Sequence, residues 1–254
     1  MKKPGLIVLI IINIACYGQV SYNVAMRCGS KSEKAMEYFN LANWGLSTNQ
    51  LNGSKNFYLK AIHEDSLFCD AWDNLSICCR RMGNYEDAFT SGLHSLIIDS
   101  TNASAWSNCG YAAFLNNDIY RALTSFDHLQ RIIPSDPEGY YGKSMVLYSI
   151  DSISEARINI YKADMKYKTS NIRKGPEVDL LKGFIEYKSG NKKLAQTIFE
   201  DIYSKFKKNP ELNYFLGKCL LENDNNIKKS QKYIDKAIKL GYVMPNGTTK
   251  QDNK

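Results

Sequence analysis

The chain has 254 residues, a net charge of +7 and 44 % hydrophobic residues, yet after its first 18 residues no run is apolar enough to span a bilayer. It has three histidines, His63, His94 and His128, and no HExxH, no GxSxG elbow and no Gly-rich phosphate loop after a strand. No catalytic residue, cofactor or metal site is therefore assigned, and the chain is expected to bind rather than to catalyse.

The first element is a leader. Lys2 and Lys3 make a basic start, Leu6–Ala15 is a short apolar run, and Cys16 and Gly18 stand at the minus-three and minus-one places of a cut before Gln19. That pattern reads as a secretory signal peptide over residues 1–18. The run is short for a stable anchor, and a lipoprotein would want an aliphatic residue where Asn13 stands. The expected location is periplasmic or secreted, in a bacterial envelope. Residues 19–32 read as an N-terminal linker.

From residue 33 the chain repeats. Trp72, Trp106 and Tyr140 are 34 residues apart, as are Ala88, Ala122 and Ala156, and as are Ala61, Ser95, Leu129 and Ala163. Units begin at Ala35, Cys69, Ala103 and Pro137, then, after a break of about five residues at 169–175, near Pro176 and Pro210. Each unit holds two apolar stripes at helical spacing, such as Trp72, Leu75, Cys79 followed by Tyr85, Ala88, Phe89. Gly83-Asn84, Asn116-Asn117-Asp118 and Ser189-Gly190-Asn191 are turn chemistry between stripes. Small residues at Ala42, Ser76, Gly110, Ser144, Gly183 and Gly217 let paired helices approach closely. The sixth unit, with Lys228, Lys229, Lys232, Lys236 and Lys239 around a thin apolar stripe, reads as a polar end cap, and residues 245–254 as a flexible tail.

The run Trp106-x2-Cys109-Gly110-x2-Ala113, then Ala122-x3-Phe126, then Pro134 resembles the tetratricopeptide repeat, with Cys109 in place of Leu and Ala113 in place of Tyr. The resemblance covers residues 33–244. It implies an all-α fold, a right-handed superhelical solenoid of about six helix-turn-helix repeats, and a protein or peptide partner lying in a concave groove lined by the first helix of each repeat. Carried onto this chain, the groove positions are Asp70, Asp73, Ile77, Arg80 and Arg81, then Ser107, Tyr111, Phe114 and Leu115, then Glu138, Tyr141, Met145 and Tyr148, then Leu180, Phe184, Tyr187 and Lys188. So many aromatic residues suggest an exposed contact surface, with several of the rings expected to pack against neighbouring helices instead. Asn40, Asn74 and Asn108 share the sixth position of three successive repeats and could hold the main chain of an extended segment. The row stops at Gly142. A clamp for a free carboxylate is not expected, because Phe39 stands where its lysine should be.

The partner-binding set is thus Asn40, Asn74, Asn108, Asp73, Arg80, Tyr111, Phe114, Tyr141, Tyr148, Phe184 and Tyr187. The function expected is a non-catalytic scaffold or adaptor in the cell envelope. The alternatives are a glycan- or peptidoglycan-fragment-binding module and an accessory subunit of a secretion or hydrolase complex. Residues 160–254 carry 20 Lys and Arg against 11 Asp and Glu, but the lysines are spread over many helical phases and no nucleic-acid motif is visible, so no nucleic acid is expected. Cys28, Cys69, Cys78, Cys79, Cys109 and Cys219 follow the leader. They read as free buried thiols, with Cys79 and Cys109 the one pair that stacked repeats bring close. His94 and His128 share a repeat position and read as satisfied or solvated side chains.

Overall fold

The computed structural model describes residues 27–170 and 172–244. The expected signal peptide, residues 19–26 of the linker and the tail from 245 lie outside the described residues. Twelve helices and no strand are found among the described residues: α1 Glu33–Ser47, α2 Leu51–Glu64, α3 Cys69–Arg81, α4 Tyr85–Ile98, α5 Ala103–Leu115, α6 Ile119–Ile132, α7 Pro137–Ser149, α8 Ile153–Thr169, α9 Pro176–Lys188, α10 Lys192–Phe206, α11 Pro210–Asp224 and α12 Ile227–Lys239. They fall into two compact units, divided within α7 between Val146 and Leu147. In the first, α1 packs on α2, α3 on α4 and α5 on α6; in the second, α9 packs on α10 and α11 on α12.

The turn inside each pair has a chemical requirement that the sequence meets. Asn49, Gly83, Asn117, Asp151 and Gly190 occupy the same place in five successive repeats, and each adopts a left-handed backbone with φ between 60° and 87°. Only Gly, Asn and Asp take that conformation at little cost. In the sixth repeat α11 is two residues longer than α5, and the left-handed residue is the cap itself, Asn225, so it comes one place later. Helix starts are marked as clearly. The side chains of Ser32, Asn102, Asp118, Asn209 and Asn226 accept from first-turn N–H groups, and Pro176 and Pro210 open α9 and α11.

Packing explains the small residues. A Cβ on Gly110 would lie 2.7 Å from the Phe126 ring, one on Gly183 2.5 Å from Phe199, and one on Gly217 2.8 Å from Ile234. The first helix of a pair is glycine where the second presents a large side chain. Gly92 reverses the arrangement on α4, and the Cys109 sulfur sits 2.5 Å from where its Cβ would be. Phe126 also reaches the backbone at Gly142, and a Cβ there would collide with the ring. The asparagine row therefore stops at Gly142 for a steric reason.

The five extra residues are divided between helix and loop. The helix α8 has 17 residues where α6 has 14, and the rest lengthen the connection to α9. Lys174 in that connection donates to Asp164 (2.9 Å) and Asp179 (2.7 Å), and Lys182 donates to Asp164 (2.9 Å). These lysines hold the Asp164 carboxyl well below the usual carboxylate range, overcoming a burial effect that alone would raise it.

Two expectations about special residues are corrected or resolved. Cys28 is not a free thiol: it is joined to Cys69 as a disulfide, Cα atoms 5.6 Å apart, while Cys79 and Cys109 are buried and unbonded. Repeat stacking could not reveal that pairing, because Cys28 precedes the first repeat. The linker folds back along the helix starts, with the Cys28 N–H donating to Asp70 (3.1 Å) and Arg27 donating to Asp99 and Thr101. The histidines His94 and His128 stack on Trp72 (4.3 Å) and Trp106 (4.1 Å). Each tryptophan donates its indole N–H to a backbone carbonyl of the preceding loop, Ser66 and Ser100.

Candidate functional site

The first helices carry the side chains assigned to partner binding: α1, α3, α5 and the start of α7 in the first unit, and the end of α7 with α9 in the second. The structure does not leave the aromatic ones in solvent. Tyr111, Phe114, Tyr141, Tyr148 and Phe184 are each 5 % exposed or less. The expected exposed shelf is therefore corrected for these residues: their rings fill the space between helices. Position alone cannot separate the two outcomes, since a large ring on that face can as well close the space as line it.

In residues 27–146 a stack of polar and aromatic groups runs from repeat to repeat. The buried Arg80 guanidinium lies 5.6 Å over the Tyr111 ring. The Tyr111 hydroxyl donates to the Glu138 carboxylate at 2.9 Å, and its ring meets Phe126 edge-on. Asp73 is buried and accepts from Asn102 (2.7 Å), which also donates to Ser95 (2.9 Å). Burial pushes Asp73 up to about 6 against the pull of those hydrogen bonds. The asparagine row is graded. Asn40 is exposed, Asn74 is half-buried and donates to Asn43 (2.9 Å), and Asn108 is buried and donates to the Asp73 carbonyl (3.4 Å). Asn43 in turn accepts from Tyr58 (2.6 Å). Asn74 and Asn108 thus spend at least one amide bond within the fold.

In residues 147–244 the rings form a connected chain. Tyr148 lies 6.3 Å from Phe184, Phe184 is 5.4 Å from Phe215, and Tyr187 and Tyr214 flank Phe215 at 4.8 and 5.3 Å. Tyr242 stacks on Tyr214 at 4.2 Å. Tyr187 and Tyr214 are half-buried, and Lys188 and Lys218 lie beside them on the same helices. Glu211, Tyr214, Phe215 and Tyr242 were missed in the sequence reading. The register of the groove, continued into the repeat that starts at Pro210, would have reached Glu211 and Tyr214 at its second and fifth positions. Tyr242 follows the last helix and has no repeat position.

Among the described residues one cluster of metal-ligand types is found, Cys28, Cys69 and Asp70. Its two sulfurs are bonded to each other, so neither is a thiolate, and Asp70 accepts two backbone N–H groups. Burial pushes the Cys79 thiol up to about 11 and those of Cys109 and Cys219 up to about 12, which leaves them unreactive.

No sequence-family model and no curated protein sequence matches the chain. Solved structures do match its fold. YrrB, described as a TPR protein with an unusual peptide-binding site, is 18 % identical with a TM-score of 0.55, covering 72 % of this chain and 92 % of that one. A tetratricopeptide repeat protein from Parabacteroides merdae is 16 % identical with a TM-score of 0.63, covering 83 % and 81 %. The Cut9–Hcn1 hetero-tetramer of the APC/C gives a TM-score of 0.72 at 11 % identity over 92 % of this chain, which spans 43 % of the chain it matches.

Proposed function

From the tetratricopeptide-repeat fold of this chain, we propose that it is a non-catalytic protein-interaction scaffold that holds an extended partner segment against the faces of its first helices. The observation that carries this reading is the pair Tyr187 and Tyr214, half-exposed on either side of a buried Phe215. Amphipathic rings on a rigid floor are the usual anchors of a contact surface. In the other unit Asn40 and Asn74 offer amide groups to a main chain, with the buried Arg80, Tyr111 and Tyr141 as that unit's floor. The peptide-binding site named for YrrB is in keeping with this reading.

The proposed setting is an oxidising compartment of the cell envelope. The Cys28–Cys69 bond supports it, since such bonds persist outside the reducing cytosol, and so does the expected signal peptide. The test is selection of peptide ligands from a random display library, followed by anisotropy titration. Tyr187→Ala and Tyr214→Ala should each weaken binding by about 2 kcal/mol, roughly thirtyfold. Lys193→Ala, on the exposed start of α10, should leave binding unchanged. Equal affinity in all three variants would put the binding face elsewhere.

A further inference from the structure

Glu211 follows Pro210 at the start of α11. It is fully buried, and neither carboxylate oxygen meets a hydrogen-bond donor among the described residues. The buried hydroxyl of Tyr148 is equally without a partner there. Tyr214 and Phe215, three and four residues after Glu211, share its helix face. Through them the chain of rings runs to Tyr242 on one side and, by way of Phe184, to Tyr148 on the other. Burial first, and then neighbouring charges that include Glu211, push the Tyr148 and Tyr242 phenols above their usual range. Once ionised, the carboxyl bears on both phenols.

An apolar side chain of similar size would pack here without the cost of burying an acid. A buried carboxyl that shares its helix face with aromatic rings is instead the chemistry that holds an organic cation, since the acid supplies a counter-charge and the ring faces attract positive charge. We propose that Glu211, with Tyr148, Tyr214 and Tyr242, forms a subsite for a primary ammonium group, the side chain of a lysine in the bound segment. This deepens the peptide-binding reading and rests on it for the source of the lysine. Tyr242 is the ring of this set that lies outside the repeats. It follows Gly241, whose backbone is left-handed (φ 91°), and is held by its stack on Tyr214 and its N–H bond to the Ala237 carbonyl. Entry of the ammonium requires a ring of this set to move aside, since Glu211 is fully buried. Burial raises the Glu211 carboxyl to about 8, so at pH 7 it carries a proton. An entering ammonium stabilises the carboxylate, and that proton passes to the buffer.

The experiment titrates the full chain at pH 7 with N-acetyl-lysine-N-methylamide and with its uncharged isostere N-acetyl-norleucine-N-methylamide, followed by tyrosine fluorescence and by calorimetry in two buffers of different protonation enthalpy. The lysine probe should bind at least tenfold tighter and release close to one proton. Glu211→Gln and Glu211→Leu should both abolish the preference while keeping or raising the melting midpoint. Equal binding of the two probes, or a preference that survives in either variant, overturns the subsite. If the probes are distinguished but no peptide is selected from the library, the peptide reading fails and the ammonium subsite stands. If peptides bind and the probes do not differ, the reverse holds.

Discussion

In residues 27–146, groups that packing removes from water are met largely by neutral partners in the adjoining repeat: Asn102 spans Ser95 and Asp73, and Asn74 meets Asn43. In residues 147–244 the corresponding work is done by charge. Asp164 is gripped by Lys174 and Lys182, and buried Glu186 by Arg157 (2.8 Å) together with the Asn191 amide (2.6 Å); Glu211 is the exception, left bare. The 34-residue step is kept in the first unit and broken in the second, between α8 and α9. Where the step holds, equivalent positions face one another and short amides and hydroxyls reach. Where five residues are added, helix faces no longer align by repeat number, and long lysine and arginine side chains span the mismatch. The first unit has a covalent fastening instead, the Cys28–Cys69 bond that pins the linker across its helix starts.

That contrast can be broken most forcefully at the disulfide. Cys28→Ser should cost about 3 kcal/mol, as for a bond closing a loop of this order. Hydrogen exchange should show the loss in α1–α4 and not in α9–α12. A reductant should reproduce the effect in the native chain and add nothing in the variant. If the variant melts as the native chain does, the linker is not a fastening.

Next in size is the charge cluster of the second unit. Asp164→Asn should cost about 2 kcal/mol, the worth of hydrogen bonds to a charged group. A carboxyl held below its ordinary value stabilises the fold fully above about pH 4, and that stability is lost as pH falls through the native value. Acidification from pH 5 towards 2 should therefore loosen α8–α10 in the native chain and narrow its gap to the variant. A gap that stays constant with pH would remove Asp164 from the account.

The smallest effect should be the same in both units. A Cβ on Gly83 or Gly190 would meet nothing within 4 Å, so substitution there tests the left-handed backbone alone. Gly83→Ala and Gly190→Ala should each cost about 1 kcal/mol. Chemical denaturation giving unequal costs would mean that the two turns, identical in repeat position, are loaded differently by their surroundings.

The helix starts of successive repeats, the turns at Gly83, Asn117 and Gly190 and the close-approach Gly110, Gly183 and Gly217 were legible, because each is a local demand; the turns at Asn49 and Asp151 and the close approach at Gly92 came from the structure. A left-handed turn needs Asn, Asp or Gly at one place, and Phe126 or Phe199 needs a glycine opposite. The binding face was legible only as a face. The groove register put Tyr111, Tyr141, Tyr148 and Phe184 on that face without their burial, and Asn74 and Asn108 in a row without the partners that engage them. It also stopped one repeat short of Glu211.

What the sequence by itself determined is thus the architecture: an all-α array of helix pairs at a 34-residue step, since period, capping and turn chemistry depend on residues close in the chain. The tertiary structure alone decided which rings are floor and which are surface, that His94 and His128 rest on tryptophans, that Cys28 finds Cys69, and that Glu211 is enclosed without a donor. Each of these depends on side chains that meet from different helices or from outside the repeat, where spacing along the chain carries no information about distance in space.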